Sequence, residues 1–282
     1  MSEPQQKWTE TIEDNHSLFD LKLKEVWRYK DLIYMFVKRD FVSSFKQTVL
    51  GPLWFFINPI FTTLAYLIIF GNIANLSTDG APKILFYLAG VMLWNYFSTS
   101  LTGTSSTFAG NAGIFGKVYF PRLVTPISVV ISNLMRFGVQ FLLFLVMWLY
   151  FLIEKQVQPN LWMLATPFLI ILMALFALGT GMIFSALTTK YRDLNMLLGF
   201  GVSLYMYATP VIYPVSALKG IWKELAYYNP LTGIFECFKY GWLGKGDFSV
   251  PMLGASTVII FFLLALGTVI FNKVEKTFMD TV

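Results

Sequence analysis

The chain has 282 residues, 56% of them hydrophobic, 18% aromatic and only 13% charged, with a net charge of +5 and a mean hydropathy of +0.62. Soluble domains carry about 25% charged residues, so this balance excludes a water-soluble globular protein and points to a polytopic membrane domain. One cysteine and one histidine exclude a disulfide framework and a His/Cys metal cluster, and the basic excess sits in loops beside apolar runs, which membrane topology explains better than nucleic-acid binding.

Charge-free runs at 47–78, 84–116, 156–189, 194–218 and 248–272 each exceed the roughly 20 residues that cross a hydrocarbon core about 30 Å thick. Residues 1–20 are polar and of mixed charge and read as a flexible tail, with no apolar run of the kind a cleavable signal peptide needs. Between 21 and 46 the apolar residues Val26, Trp27, Leu32, Ile33, Phe36 and Val37 alternate with Lys24, Arg28, Lys30, Lys38 and Arg39. That spacing predicts an amphipathic helix lying in the membrane interface or packed on a partner protein.

The domain from 47 to 272 reads as six spans, at about 51–71, 84–104, within 124–153, 162–187, 195–212 and 251–271, followed by a charged tail at 273–282. Pro59 lies inside the first span, where it frees a carbonyl and bends the axis. The fold class predicted is therefore all-α and polytopic. Ala177, Gly181, Ser185 and Thr189 repeat every four residues on the fourth span. Small residues at that spacing permit close helix approach, either inside the subunit or at a dimer seam. Residues 213–250 form the one long connection. Its stretches 218–228 and 232–243 are amphipathic, aromatic-rich and separated by Asn229-Pro230, which fits re-entrant half-helices supported by surrounding protein.

Six spans put both termini on one side. Fourteen Lys and Arg fall on that side and six on the other, with Arg136 inside the third span. The positive-inside rule makes the terminal side cytosolic. Chemistry is largely missing. No Asp or Glu lies inside any expected span, which argues against a proton- or sodium-driven carrier. Paired carboxylates and a Ser–His–Asp set are also absent, so no catalytic residue and no metal site is expected. The stretch Gly110-Asn-Ala-Gly-Ile-Phe-Gly-Lys-Val118 fails the phosphate-loop spacing, so the chain binds no ATP by that motif, and if it moves something the energy comes from a partner. Arg136 reads as a cation that snorkels or pairs structurally, or as a channel contact for phosphate or acidic sugar.

The element around which the rest is arranged is the polar and basic island at 111–126, carrying Lys117 and Arg122 between two long apolar blocks. Three stretches together resemble one family. They are Arg39-Asp-Phe-Val-Ser-Ser-Phe-Lys-Gln-Thr-Val-Leu-Gly-Pro-Leu-Trp54 with Pro59; the island ending Phe120-Pro-Arg122 with Pro126; and Tyr191-Arg-Asp-Leu194 with the later Thr209-Pro-Val-Ile-Tyr-Pro214 and Tyr227-Tyr-Asn-Pro230. The chain resembles the permease subunit of bacterial ABC-2 exporters for O-antigen, capsule and teichoic acid, from about residue 21 to its end.

That resemblance implies a homodimer in the bacterial inner membrane, bound to two copies of a cytosolic ABC ATPase that holds the ATP and Mg. It implies a cargo of polysaccharide on an undecaprenyl diphosphate lipid, and a non-enzymatic role for this chain. It assigns residues 110–122 to a coupling helix, with Phe115, Lys117, Tyr119, Phe120 and Arg122 contacting the ATPase and Arg39, Tyr191, Arg192 and Asp193 supporting that face. Sugars have apolar C–H faces, so Phe55, Tyr66, Trp94, Tyr96, Tyr205 and Tyr207 are candidate channel platforms. Lys38 and Lys46, with Arg136, are candidate contacts for the diphosphate or an acidic sugar. Rival readings are an ABC-2 permease for another cargo (teichoic acid, drug or lipid) and a non-transporting component of glycan assembly.

Overall fold

A computed structural model describes residues 23–191 and 193–278, and all regular structure among them is helical. Arg192, the 1–20 tail, the first two residues of the expected 21–46 helix and residues 279–282 lie outside the described residues. The interface segment forms two helices, α1 (Leu23–Arg28) and α2 (Lys30–Ser43). They meet at Tyr29, whose N–H is shared between the Glu25 and Val26 carbonyls, the three-centre pattern that tightens a helix end.

Helix α3 (Trp54–Tyr66) follows a 3-10 turn at Gly51–Leu53 and widens at its far end into a π-helical stretch, Leu67–Ile73. Next come α4 (Lys83–Ser105), α5 (Thr107–Phe115) and α6 (Val124–Ile153). After a 3-10 turn at Leu161–Ala165 the chain continues through α7 (Thr166–Lys190) and α8 (Leu194–Ala208). Two short helices, α9 (Ile221–Tyr227) and α10 (Thr232–Leu243), precede the last long one, α11 (Val250–Phe278).

Five helical segments are long and apolar enough to cross a membrane: Gly51–Ile73, Lys83–Ser105, Val124–Ile153, Leu161–Lys190 and Val250–Glu275. The expected fifth span is shorter than 195–212. Helix α8 has 15 residues, about 22 Å of axis against a core of about 30 Å. It stops at Ala208 because Thr209 precedes Pro210 and takes an extended conformation, φ −108° and ψ 145°, as the proline ring requires of its neighbour. The expected coupling helix also starts earlier, at Thr107, and ends at Phe115.

The core is built around α4, most of whose residues are buried. Phe97 stacks on Phe176 of α7 at 5.0 Å, and Tyr96 packs on Phe137 of α6 at 5.4 Å. Helices α7 and α11 touch backbone to backbone: a Cβ built on Gly179 would lie 2.7 Å from the Leu264 Cα, and one on Gly267 would lie 2.2 Å from the Gly179 carbonyl oxygen. The small-residue ladder of α7 serves packing inside the subunit. A Cβ on Gly181 would meet Thr104 of α4 at 2.5 Å, and the Ser185 hydroxyl accepts the Phe108 N–H of α5 at 3.3 Å.

Helix α10 is buried along nearly its whole length without being long enough to span. Trp242 anchors it: its indole N–H donates to the Thr166 hydroxyl at 2.8 Å, the Trp148 indole donates to its carbonyl at 2.8 Å, and Phe141, Phe144 and Phe238 surround its rings. Gly244 ends the helix at φ +69°, a left-handed cap that a side chain resists, and a Cβ there would sit 2.2 Å from the Gln158 carbonyl oxygen. Trp242→Ala is expected to destabilise the subunit by about 3–5 kcal/mol, the cost of deleting a large buried aromatic. A thermal unfolding midpoint in detergent indistinguishable from the parent would contradict that.

One end of the bundle gathers α1, α2, α5, the start of α6 and the end of α11; it carries both ends of the described chain and is the basic end. Phe36 of α2 meets Phe120 at 5.8 Å, and the Arg122 guanidinium donates to the Glu275 carbonyl. The opposite, far end holds α9 and α10.

Candidate functional site: a hydroxyl-lined groove and an aromatic knot

Two arrangements stand out. The first is a groove of about 470 Å³ between α4 and α8, lined by Trp94, Ser98, Thr99 and Thr102 on one side and by Gly199, Val202, Ser203, Met206 and Tyr207 on the other. No charged residue lines it. Its hydroxyls are set by helix geometry: Thr99 Oγ1 donates to the Asn95 carbonyl at 2.6 Å, Thr102 Oγ1 to Ser98 at 2.7 Å and Ser203 Oγ to Gly199 at 3.0 Å. With each proton spent on a carbonyl one turn back, the oxygen lone pairs are left as acceptors.

Of the six candidate platforms, Trp94 and Tyr207 line this groove. Tyr66 and Tyr205 adjoin it: the Tyr66 hydroxyl contacts Met206 Sδ at 3.2 Å, and the Tyr205 ring stands 6.1 Å from Trp94. Phe55 lies elsewhere, stacked on Phe41 at 5.5 Å where α2 meets α3, and Tyr96 faces α6. The stripe Ser98, Thr99 and Thr102 is not among the sequence candidates. Its three- and four-residue spacing on one helix face is the signal that finds it.

The second arrangement is an aromatic knot at the basic end. Phe108 stacks on Phe271 of α11 at 4.6 Å and meets Phe115 at 6.3 Å; Phe115 meets Phe120 at 5.6 Å; and Phe120 meets Phe36. Phe115 and Phe120 are each 5% exposed. They hold the 116–123 loop from within, whereas Lys117, Val118 and Tyr119 are presented outward, with Ile114 beside them. Arg122 closes the knot, 5.7 Å over the Phe115 ring and bonded to the α11 backbone. Burial holds the Arg122 guanidinium below the usual arginine pKa, and the Glu275 carboxylate works against that.

The remaining candidates spread around this end. Arg39 lies 4.6 Å over Phe36 and donates to the Asp40 carboxylate at 2.8 Å. Tyr191 is exposed beside Lys190, 5.2 Å from its ring, and Asp193 is exposed at the start of α8. Lys38 and Lys46 are exposed. Arg136 of α6 donates to Asn133 Oδ1 at 3.1 Å and to the Asp40 carbonyl at 3.2 Å, so it ties α6 to α2 and does not reach the groove.

The family model described as ABC-2 type transporter matches residues 31–243, about three quarters of the chain. The chain belongs to the ABC-2 transporter membrane family. Among curated relatives of this ABC-2 chain, the O-antigen export system permease protein RfbA of Klebsiella pneumoniae is 28% identical over 251 residues, covering 89% of this chain and 94% of that protein. RfbA of Myxococcus xanthus is 29% identical, covering 70% and 74%. The polysialic acid transport protein KpsM of Escherichia coli is 26% identical, covering 86% and 93%. The groove and the knot thus belong to a multi-pass ABC-2 membrane protein whose relatives are transport proteins.

Proposed function

We propose that this chain is the membrane-spanning subunit of an ATP-driven exporter that moves lipid-linked polysaccharide, O-antigen in the first instance, across the bacterial inner membrane. The carrying observation is the charge-free groove between α4 and α8, with aromatic faces and outward lone pairs, in a family member related to O-antigen export permeases. A sugar polymer presents hydroxyl rims and apolar C–H faces. Ser98, Thr99, Thr102 and Ser203 accept hydrogen bonds from the rims, while Trp94 and Tyr207 meet the faces. Such weak, repeated contacts let a polymer slide, where deep charged pockets would stall it.

The chain works as a homodimer of six-span subunits, with α8 as the short fifth span and both termini cytosolic. The apolar faces of α3 and α8 suit a subunit interface and lipid: Phe61, Phe200 and Leu204 are all more than half exposed. A channel then forms where two grooves face one another. Two copies of a separate ABC ATPase bind ATP and Mg and press on the basic end through Lys117 and Tyr119. The knot of Phe115, Phe120 and Arg122 passes that motion to α2 and α11, and Arg39, Tyr191 and Asp193 flank the dock. Lys38 and Lys46 lie on the approach of the undecaprenyl diphosphate.

Depleting the protein tests the reading. Intact polymer is expected inside spheroplasts while surface polymer disappears; unchanged surface glycan with no internal pool would overturn it. Within the groove, Tyr207→Ala is expected to slow export roughly fivefold at unchanged protein level, as loss of one stacking platform worth about 1 kcal/mol implies. Quantified surface glycan at the parental rate would remove Tyr207 from the path.

A further inference from the structure

We propose that Lys239 and Glu236, two charged side chains sealed inside α10, are positioning residues for export: they clamp the crossover at 209–215 and so fix the far mouth of the groove. The inference rests on the export reading for its consequence, but the clamp itself is geometry. Lys239 is 1% exposed and Glu236 is wholly buried. The Lys239 ammonium donates to the Pro210 carbonyl at 2.6 Å and lies 3.8 Å from the centroid of the Phe86 ring of α4. Glu236 Oε2 accepts the Asp247 N–H at 3.1 Å, its Oε1 is sealed without a hydrogen-bond partner, and the Val215 backbone lies close enough to favour the carboxylate electrostatically. Asp79 lies within electrostatic reach of both, and its own carboxylate accepts the Ser216 hydroxyl at 2.6 Å.

The placement explains why charges are kept where an apolar pair would cost less. Burying an ion costs several kcal/mol even after relaxation, and ionisable groups at membrane depth are rare outside functional positions. Here they meet a specific need. The crossover is non-helical, so its carbonyls and N–H groups lack helical partners and must be satisfied by protein. Lys239 takes the Pro210 carbonyl at one end of the crossover, and the Glu236 carboxyl faces the Val215 backbone at the other. Between them the Val211 carbonyl seats on Gly90 of α4, where a Cβ would lie 2.4 Å away.

Asn229 adds a second tie. Its Oδ1 accepts the Tyr205 hydroxyl at 2.6 Å, and its Nδ2 donates to the Ala208 carbonyl at 3.0 Å and the Thr209 hydroxyl at 3.2 Å. Helix α8 buries only Leu198 and Val202 among its own residues, so these polar ties at its far end hold the groove wall to α10. Motion of α8 and of the half-helices is thereby made common.

The test is nitroxide-label mobility in the full-length subunit in complex with its ATPase, with the label on Leu204→Cys near the far end of α8 or on Met196→Cys near the other. Both positions are exposed on the single subunit, Leu204 on the face assigned to the subunit interface or lipid, so each variant is read against the otherwise parental complex carrying the same label; native Cys237 is fully buried and stays unlabelled. Lys239→Met is expected to raise mobility at 204, leave 196 unchanged, and cut surface glycan about tenfold at equal protein level, the scale of one charge-assisted hydrogen bond. Glu236→Gln, which keeps the shape, carries the same readouts if Lys239→Met does not accumulate. Unchanged mobility at 204, or an equal rise at both positions, overturns the clamp. A rise at 204 with parental export overturns its role in export. If the parent itself exports no glycan, the export reading fails and the mobility result alone decides the clamp.

Discussion

Gly267→Leu is expected to leave almost no folded subunit in the membrane. A side chain at 267 starts 2.2 Å from the Gly179 carbonyl oxygen and 3.2 Å from its Cα, and the reciprocal Cβ on Gly179 starts 2.7 Å from the Leu264 Cα. Nothing flexible stands between the two helices, so relief requires separating α7 from α11. In a membrane, helix association relies on such close backbone packing, because lipid tails solvate leucine as well as protein does. The loss exceeds about 4 kcal/mol, the range reserved for severe core disruption, against a total stability of roughly 5–15 kcal/mol. Gly254→Leu on the same helix is the control, since a Cβ added there would meet nothing within 4 Å. Size-exclusion of detergent-solubilised protein should show the 267 variant absent or aggregated and the 254 variant at parental level. Equal recovery of both would contradict the seam.

Arg122→Ala is expected to uncouple the subunit while leaving it folded. The guanidinium joins three pieces: the 116–123 loop that carries it, the Phe115 ring below it and the α11 backbone at Glu275. Removing a half-buried charged donor forfeits roughly 1.5–3 kcal/mol, enough to change the population of the docked loop by about 10- to 100-fold. Lysine is a poor substitute, because a compact ammonium cannot present a planar fork to the carbonyl while stacking on the ring. In the assembled complex, ATP hydrolysis is expected to continue while glycan export falls at least about tenfold, since a loosened loop no longer transmits the stroke. Export and hydrolysis lost in the same proportion would place the effect in assembly instead.

The long elements were legible from the sequence because each carries its own signal. The apolar run at 124–153 coincides with α6, and the basic island falls between α4 and α6 as expected. Among the short elements, the expected half-helix at 232–243 coincides with α10 and that at 218–228 shortens to α9, but which of their side chains turn inward was not legible. Phe115, Phe120, Lys117 and Tyr119 share one island, and composition cannot say which pair turns inward; that depends on α2 and α11, which cover the loop from far away in sequence. Helix α8 ends early because of a single Thr-Pro step. The burial of Glu236 and Lys239 on α10 comes from contacts with Pro210, Val215 and Asp247 that no local pattern announces. Phe55 and Tyr96 are aromatics as plausible as Trp94 by spacing; only packing separates them.

The central position of α4 bears on how the protein is made. Among the five long helices it is the least hydropathic and the most enclosed by protein, and the hydroxyls of Ser100 and Thr104 are sealed without a partner. Yet it leaves the ribosome second, and α7 begins about 60 residues after α4 ends. At about 5–20 residues per second the helix waits roughly 3–12 s in the bilayer before that neighbour is synthesised. During that interval the face of α4 that α7 later covers, with Phe97 on it, is exposed to lipid. Nascent chains arrested between residues 110 and 165 should therefore be held by the insertion machinery or a membrane chaperone, and proteolysed when released, whereas chains arrested after α11 should not.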